Sequence, residues 1–242
     1  MSNVSQQSMA KLYAENSEWR DTARTLCTNL EFAGVDEEIQ CVVVTGYEMS
    51  VGKSTVALAL AMAAAEMGKR TLIIDNDLRN PQIALRMKVR SRFSIADMFS
   101  GRVQVEELCV PTNFRDLFVL DLGSRRVANP VEVLGSAKYK HCIEELRNMF
   151  DFIVIDTPPI GMFIDAAVAA QVSDGVLFVV NSGKTQARQV KESLAQLEKA
   201  KVRVLGAVLN NVIRTSKNYY YYYDRRGMKK RRKKSHAESE KD

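Results

Sequence analysis

Gly52-Lys53-Ser54-Thr55 brings together the residue types that hold a polyphosphate. It follows the apolar run Cys41-Val-Val-Val-Thr45 and the loop Gly46-Tyr-Glu-Met-Ser-Val51, and it opens an alanine-rich stretch. A β-branched run that stops at a loop and then takes a helical pattern predicts strand, phosphate loop and helix. At such a helix start the backbone N–H groups lack intrahelical partners and the macrodipole is positive, so a phosphate is favoured there. Gly52 admits close backbone approach, Lys53 can reach the β- and γ-phosphates, and the Ser54 hydroxyl suits Mg²⁺. The cofactor-binding candidates are Ser50, Val51, Gly52, Lys53, Ser54 and Thr55. The spacing departs from the usual loop: its first glycine belongs at position 47, a tyrosine here, and Gly46 comes one residue early. Taken alone, the motif also admits a chance Gly-Lys-Ser at an ordinary helix start.

Two acidic segments extend the pattern. Thr71-Leu-Ile-Ile74 reads as a buried strand ending in Asp75-Asn-Asp77-Leu-Arg79-Asn-Pro81, and Phe152-Ile-Val-Ile155 as another ending in Asp156-Thr-Pro-Pro159. An open parallel sheet presents ligand-facing groups at the carboxyl ends of its strands. Aspartates at such places also start turns or cap helices. If Lys53, Ser54, Asp75, Asp77 and Asp156 emerge from one edge, a hydroxyl and carboxylates converge as they do around Mg²⁺ on a triphosphate. ATP and Mg²⁺ are the expected cofactors, with Lys53, Asp75, Asp77 and Asp156 as catalytic candidates and Ser54, Asp77 and Asp156 as the metal set.

These residues need a sheet to position them. Residues 1–16 read as a flexible N-terminus, and 17–32 as an amphipathic helix with Ser17 as its cap. The helix after the phosphate loop should end near Met67, with Gly68 in the capping position. Residues 82–116 are less regular, with a helical turn at Ile95–Phe99. Leu117–Leu120, 175–180 and 204–210 are strands; 131–149, 166–172 and 185–201 are helices. Strands with helices between them predict an α/β fold, a doubly wound and mostly parallel sheet of P-loop NTPase-like type. One domain over 17–214 is expected, followed by a disordered tail, 215–242.

At 242 residues, 46% of them hydrophobic, the chain can bury one large core. No apolar run approaches the roughly 20 residues of a membrane span, and the polar start lacks a signal-peptide pattern, so a cytoplasmic protein is expected. Cys27, Cys41, Cys109 and Cys142 show no paired spacing and read as reduced thiols. Only His141 and His236 are present, which excludes histidine-based nucleophilic catalysis and a His-rich metal site. Of the net charge of +6, the segment Asp224–Asp242 holds +5 and all preceding residues about +1.

Gly52-Lys-Ser-Thr55, Ile-Ile-Asp75-Asn-Asp77-Leu-Arg79-Asn-Pro81 and Val-Ile-Asp156-Thr-Pro-Pro159 together resemble the bacterial tyrosine kinase family. These are cytoplasmic kinases paired with membrane proteins that regulate capsule and exopolysaccharide assembly. The resemblance runs from about Asp21 to Tyr223 and includes Asn129-Pro130, Asp174-Gly175 and Leu205-Gly-Ala-Val-Leu-Asn210. It implies autophosphorylation on a C-terminal cluster, here Tyr219, Tyr220, Tyr221, Tyr222 and Tyr223. It also implies a transmembrane polysaccharide co-polymerase adaptor as activator, trans-phosphorylation between copies and a location at the inner face of the membrane. By the same resemblance Asp75 acts as base toward the tyrosine hydroxyl, Asp77 organises Mg²⁺ and Asp156 supports the metal shell. Asn210 matches the place where related ATPases recognise adenine with an amide, and it is equally an ordinary loop-start residue. Two places depart from the pattern. Met49-Ser50 replaces a Pro/Ala-Gly pair, and a Cβ at position 50 predicts a changed loop shape and weaker nucleotide binding. The helix signature of ring assembly, Glu-x-x-Arg-x-x-Arg, reads Asp21-Thr-Ala-Arg24-Thr-Leu-Cys27, and cysteine makes no ion pair.

Five consecutive phenols between Thr-Ser-Lys-Asn and a basic run suggest a mobile tail that can reach an active site; an edge strand or sticky aromatic segment is the other reading. Arg225–Lys234 holds eight cations in ten residues. A solvated tail, an anionic membrane surface and, third, nucleic acid are the candidate roles; no recognition fold supports the last, and no nucleic acid is expected. Two other functions compete with the kinase. A ParA/MinD-like ATPase switch carries a signature lysine where this chain has Glu48, and a nucleotide-binding scaffold would have lost catalysis.

Overall fold

The computed structural model describes residues 9–34, 37–122 and 127–213. Seven strands form its sheet: β1 (Cys41–Thr45), β2 (Thr71–Asp75), β3 (Cys109–Pro111), β4 (Leu117–Leu120), β5 (Phe152–Asp156), β6 (Gly175–Asn181) and β7 (Val204–Asn210). Their order is β3-β4-β2-β5-β1-β6-β7, parallel throughout except for β3, which runs antiparallel to β4 at one edge. The predicted α/β doubly wound sheet of P-loop type is the observed one.

Period-two alternation along strands buried on both faces builds two cores. Val42, Val44, Ile73, Val154 and Val179 face one side, under α1 (Met9–Glu15), α2 (Ser17–Ala33), α3 (Lys53–Glu66) and α4 (Ile83–Met87). Cys41, Val43, Ile74, Ile153, Ile155 and Phe178 face the other, under α5 (Ile95–Phe99), α6 (Pro130–Leu134), α7 (Ala137–Arg147), α8 (Asp165–Ala169) and α9 (Ala187–Lys199). The helix α3 is buried nearly all round, from Val56 to Ala65, which is why its sequence shows apolar residues without an amphipathic stripe. It carries the phosphate loop on its N-terminal end against the middle of the sheet, so the loop has a rigid base.

Several sequence expectations are corrected. The first 16 residues are not uniformly flexible, because Met9–Glu15 is helical with Tyr13 fully buried. The Tyr13 ring meets Trp19 and Phe114 edge to face at 5.4 and 6.0 Å. Its hydroxyl donates to Glu66 at 3.4 Å, where Arg20 and Arg24 also converge. A single aromatic finding a slot leaves no periodic signal in seven residues. The cap of α2 is Asn16, which accepts from the Trp19 amide, rather than Ser17. The long helix expected over 131–149 breaks at Gly135-Ser136, where Ser136 caps α7 by accepting from the Tyr139 amide. The edge strand β3, three residues ending in proline, was too short to read. The compact body ends at Asn210. The tail, with its tyrosine cluster and basic run, lies outside the described residues. Among the described residues no helix is long and apolar enough to cross a membrane, and all four cysteines are free thiols.

Candidate active site

The parallel register puts the predicted groups on one edge. Asp75 and Asp156 are paired opposite each other at the ends of β2 and β5, and Val44, one residue before the end of β1, is paired with Asp156. Gly46 follows at once. A Cβ on it would lie 2.6 Å from the Val179 carbonyl of β6, so only glycine lets the loop leave β1 there. The loop is then held from three sides. The Ile160 and Gly161 amides donate to the Gly46 and Tyr47 carbonyls, both at 3.0 Å. Asn210 Nδ2 donates to the Val51 carbonyl at 2.8 Å, and Lys53 Nζ to the Glu48 carbonyl at 3.2 Å. Gly52, at φ +98, packs so closely on Asn210 that an added Cβ would fall 2.1 Å from its amide nitrogen.

Ser50 adopts φ +60, the left-handed region that favours glycine, so a residue with a Cβ sits there under local strain. A non-glycine residue there loses about 1–2 kcal/mol, part of which glycine's freedom in the unfolded chain gives back. Ser50→Gly is therefore expected to raise unfolding free energy by roughly 0.5–1 kcal/mol and to change nucleotide affinity less than about twofold. Chemical denaturation and nucleotide titration of the two proteins check this.

The charged groups perturb one another. Lys53 is buried, and desolvation lowers its pKa, opposed by Asp156, Asp77 and Glu48. Asp156 is fully enclosed, and burial followed by the Asp75 charge pushes its carboxyl up to about 8, against the Ser54 hydroxyl and Lys53. Its Oδ1 has no hydrogen-bond partner. Asp75 is raised to about 6 by burial, although its oxygens accept three amides: Asp77 at 3.1 Å, Gln82 at 2.6 Å and Ile83 at 2.8 Å. Asp77 is half-buried and also raised by desolvation, with Oδ1 accepting from the Asn80 amide at 3.0 Å. Thr55 is met by Arg86 at 3.4 Å.

Three features of this edge were not legible in the sequence. Asn76, between the two aspartates, is fully buried and its amide donates to the Tyr139 hydroxyl of α7, fixing the segment from below. Arg79 pairs with the buried Asp165 at 3.3 Å and stacks on Phe163, 4.3 Å from its ring centre. Glu48 accepts from the Thr185 hydroxyl at 3.3 Å. Each joins residues 63 or more positions apart, and no spacing rule announces such partners.

An enclosed carboxylate oxygen without a partner, beside a hydroxyl and a buried lysine, fits a divalent cation. Among the described residues no group of three or more metal-ligating side chains forms a closed cage.

A phosphate loop between β1 and α3, with acidic strand ends beside it, defines a P-loop nucleotide-binding protein. The AAA domain family profile matches residues 40–212. Tyrosine-protein kinase CpsD of Streptococcus agalactiae is 31% identical over 218 residues, covering 87% of this chain and 93% of that protein. The kinase domain of Escherichia coli tyrosine kinase ETK superposes with a TM-score of 0.76 at 28% identity, over 81% of this chain and 77% of that one. The septum site-determining protein MinD of Pyrococcus horikoshii, complexed with Mg-ADP, follows at 0.61 and 25%, over 73% and 72%. The chain belongs to the bacterial tyrosine kinase family and is a protein-tyrosine kinase.

Proposed function

We propose that the chain transfers the γ-phosphoryl group of ATP to its own tail tyrosines, Tyr219, Tyr220, Tyr221, Tyr222 and Tyr223. The observation that carries this reading is the meeting of Lys53, Asp75, Asp77 and Asp156 at one sheet edge. Lys53 and the amides at the start of α3 bind the phosphates and offset the charge that builds on them during transfer. Ser50, Val51, Gly52, Ser54 and Thr55 shape that cradle. Ser54, Asp77 and Asp156 would hold Mg²⁺, which when bound neutralises phosphate charge. Asp75 is the base. With three amides fixing its carboxylate and a pKa near 6, it takes the phenol proton as the tyrosine oxygen bonds to phosphorus and the bond to the ADP oxygen breaks. Asn210 supports the phosphate loop from behind; its remaining amide capacity would meet adenine.

Glu48 weighs against the MinD-like switch. Its carbonyl serves Lys53 and its carboxylate serves Thr185, where the switch proteins carry a lysine. The kinase would work in the cytoplasm at the inner membrane face, activated by a transmembrane polysaccharide co-polymerase adaptor and regulating capsule or exopolysaccharide synthesis. The basic tail would add contact with anionic lipid. Ring assembly through α2 is weakened here, since Arg24 is committed to Glu66 and Cys27 is buried. The test is incubation with Mg·ATP followed by mass-spectrometric mapping. Phosphate confined to Tyr219–Tyr223, and lost when all five are changed to phenylalanine, is the expected result. An intact tail that never gains phosphate would overturn the reading.

A further inference from the structure

Beside the acidic segment lies a groove of about 470 Å³ that the chemistry above does not use. It begins at Pro81, next to the Gln82 and Ile83 amides that hold Asp75. Leu85, Val89 and Phe93 supply its apolar wall, with Leu85 71% exposed. Arg90 and Arg92 stand at its mouth, both exposed, and among the described residues neither forms an ion pair. The carboxylates that also line it are engaged elsewhere. Asp97 accepts from the Ser94 amide and hydroxyl and pairs with Arg102 at 2.7 Å, and Asp121 accepts from the Ser91 amide at 2.9 Å. An apolar slot with two uncommitted guanidinium groups at its rim is the combination that an aryl phosphate requires: a wall for the ring and planar donors for the phosphate oxygens.

We propose that this groove binds the phosphorylated form of the segment Tyr219–Tyr223, as a product site beside the catalytic edge. The inference rests on the proposed tail phosphorylation. Charge complementarity selects the occupant. Unmodified, residues 216–226 carry a net +2 and offer the two guanidinium groups no anion beyond Asp224; each phosphate adds about −1.5 to −2, which brings the segment close to neutrality and supplies the oxygens those groups bind. Binding would hold the modified tail near the site and favour further rounds on neighbouring tyrosines, or occlude the site once the run is fully modified.

Fluorescein-labelled peptides covering residues 216–226, unmodified or phosphorylated on Tyr221, test this by anisotropy against the full chain carrying Lys53→Met, which keeps its own tail unmodified. The phosphopeptide is expected to bind and the unmodified peptide not. Arg90→Gln with Arg92→Gln should weaken binding about tenfold or more, the scale of losing charge-assisted hydrogen bonds. Lys191→Gln with Lys199→Gln on α9, at the other edge of the sheet, should leave it unchanged. Equal affinity in the groove variant, or an equal loss in the α9 variant, overturns the proposal. The peptide's phosphate is installed chemically, so this outcome is independent of whether the chain modifies its own tail.

Discussion

Lys53→Met is expected to abolish detectable phosphotyrosine formation while leaving the fold intact. The side chain is buried, its pKa is lowered by desolvation, and its ammonium faces Asp156, Asp77 and the Glu48 carbonyl. Methionine has similar length and fills the same volume without a charge, so nothing in the core must move. Removing one preorganised donor to a developing charge lowers kcat by about 10²–10³ in other enzymes, and in the proposed function the same group would also bind the ground-state phosphates. Both effects act together, and the thermal shift that Mg·ATP gives the wild-type protein should vanish as well. The lost cation leaves Asp156 and Asp77 without their attractive partner, so both hold protons more tightly than before. The nucleotide-free variant should therefore melt within a few degrees of wild type, its new neutral carboxyls offsetting the lost attraction. Antiphosphotyrosine blotting beside differential scanning calorimetry checks both halves. Wild-type phosphorylation in the variant would remove Lys53 from the chemistry, and collapse of the melt would assign it to structure.

The features visible in the sequence share a physical cause. Strands buried on both faces have to be β-branched runs, and a phosphate loop has to place glycine and lysine at a helix start, so β1, β2, β5 and the edge they define could be read directly. The convergence of Lys53, Asp75, Asp77 and Asp156 followed from parallel strands alone, since Asp75 and Asp156 end adjacent strands in register. The φ of +60 at Ser50 was not legible either, because residue type constrains φ only statistically. The Arg79–Asp165 pair, the Asn76–Tyr139 contact and the Glu66 hub stayed hidden for a different reason. Each depends on which long-range neighbour a side chain meets, and a single sequence carries no record of it. The helix α1 shows the same limit at small scale. Seven residues contain too few turns for periodicity, and Tyr13 owes its burial to Trp19 and Phe114.

Asp156→Asn should separate stability from function through pH. Burial and the neighbouring Asp75 raise the Asp156 carboxyl from the ordinary 3.8 to about 8 in the folded chain. Between those values the native protein binds more protons than the unfolded chain, so unfolding free energy falls as pH rises. Stability from this group is fully present below about pH 4 and is lost as pH climbs through the folded value near 8. Asp75, raised to about 6, adds to the acid half of that slope. In EDTA and without nucleotide, wild type should thus lose melting temperature between pH 6 and pH 8, and the asparagine variant should lose less. At pH 8 the variant should melt higher, by about 2–4 °C for each kcal/mol relieved in a domain of this size. Its activity should move the other way, because an amide cannot offer Mg²⁺ the anionic oxygen that Oδ1 leaves unpartnered. A loss of at least about 10–100-fold in activity, with a matching rise in the Mg²⁺ needed, is expected. Parallel melting curves for the two proteins across this range would show that the Asp156 carboxyl is not the strained group. An active variant would remove it from the metal shell. The two outcomes together would express one condition of the proposed site: raised carboxyl pKa values cost stability as pH climbs toward 8, and a bound cation would relieve the repulsion that raises them.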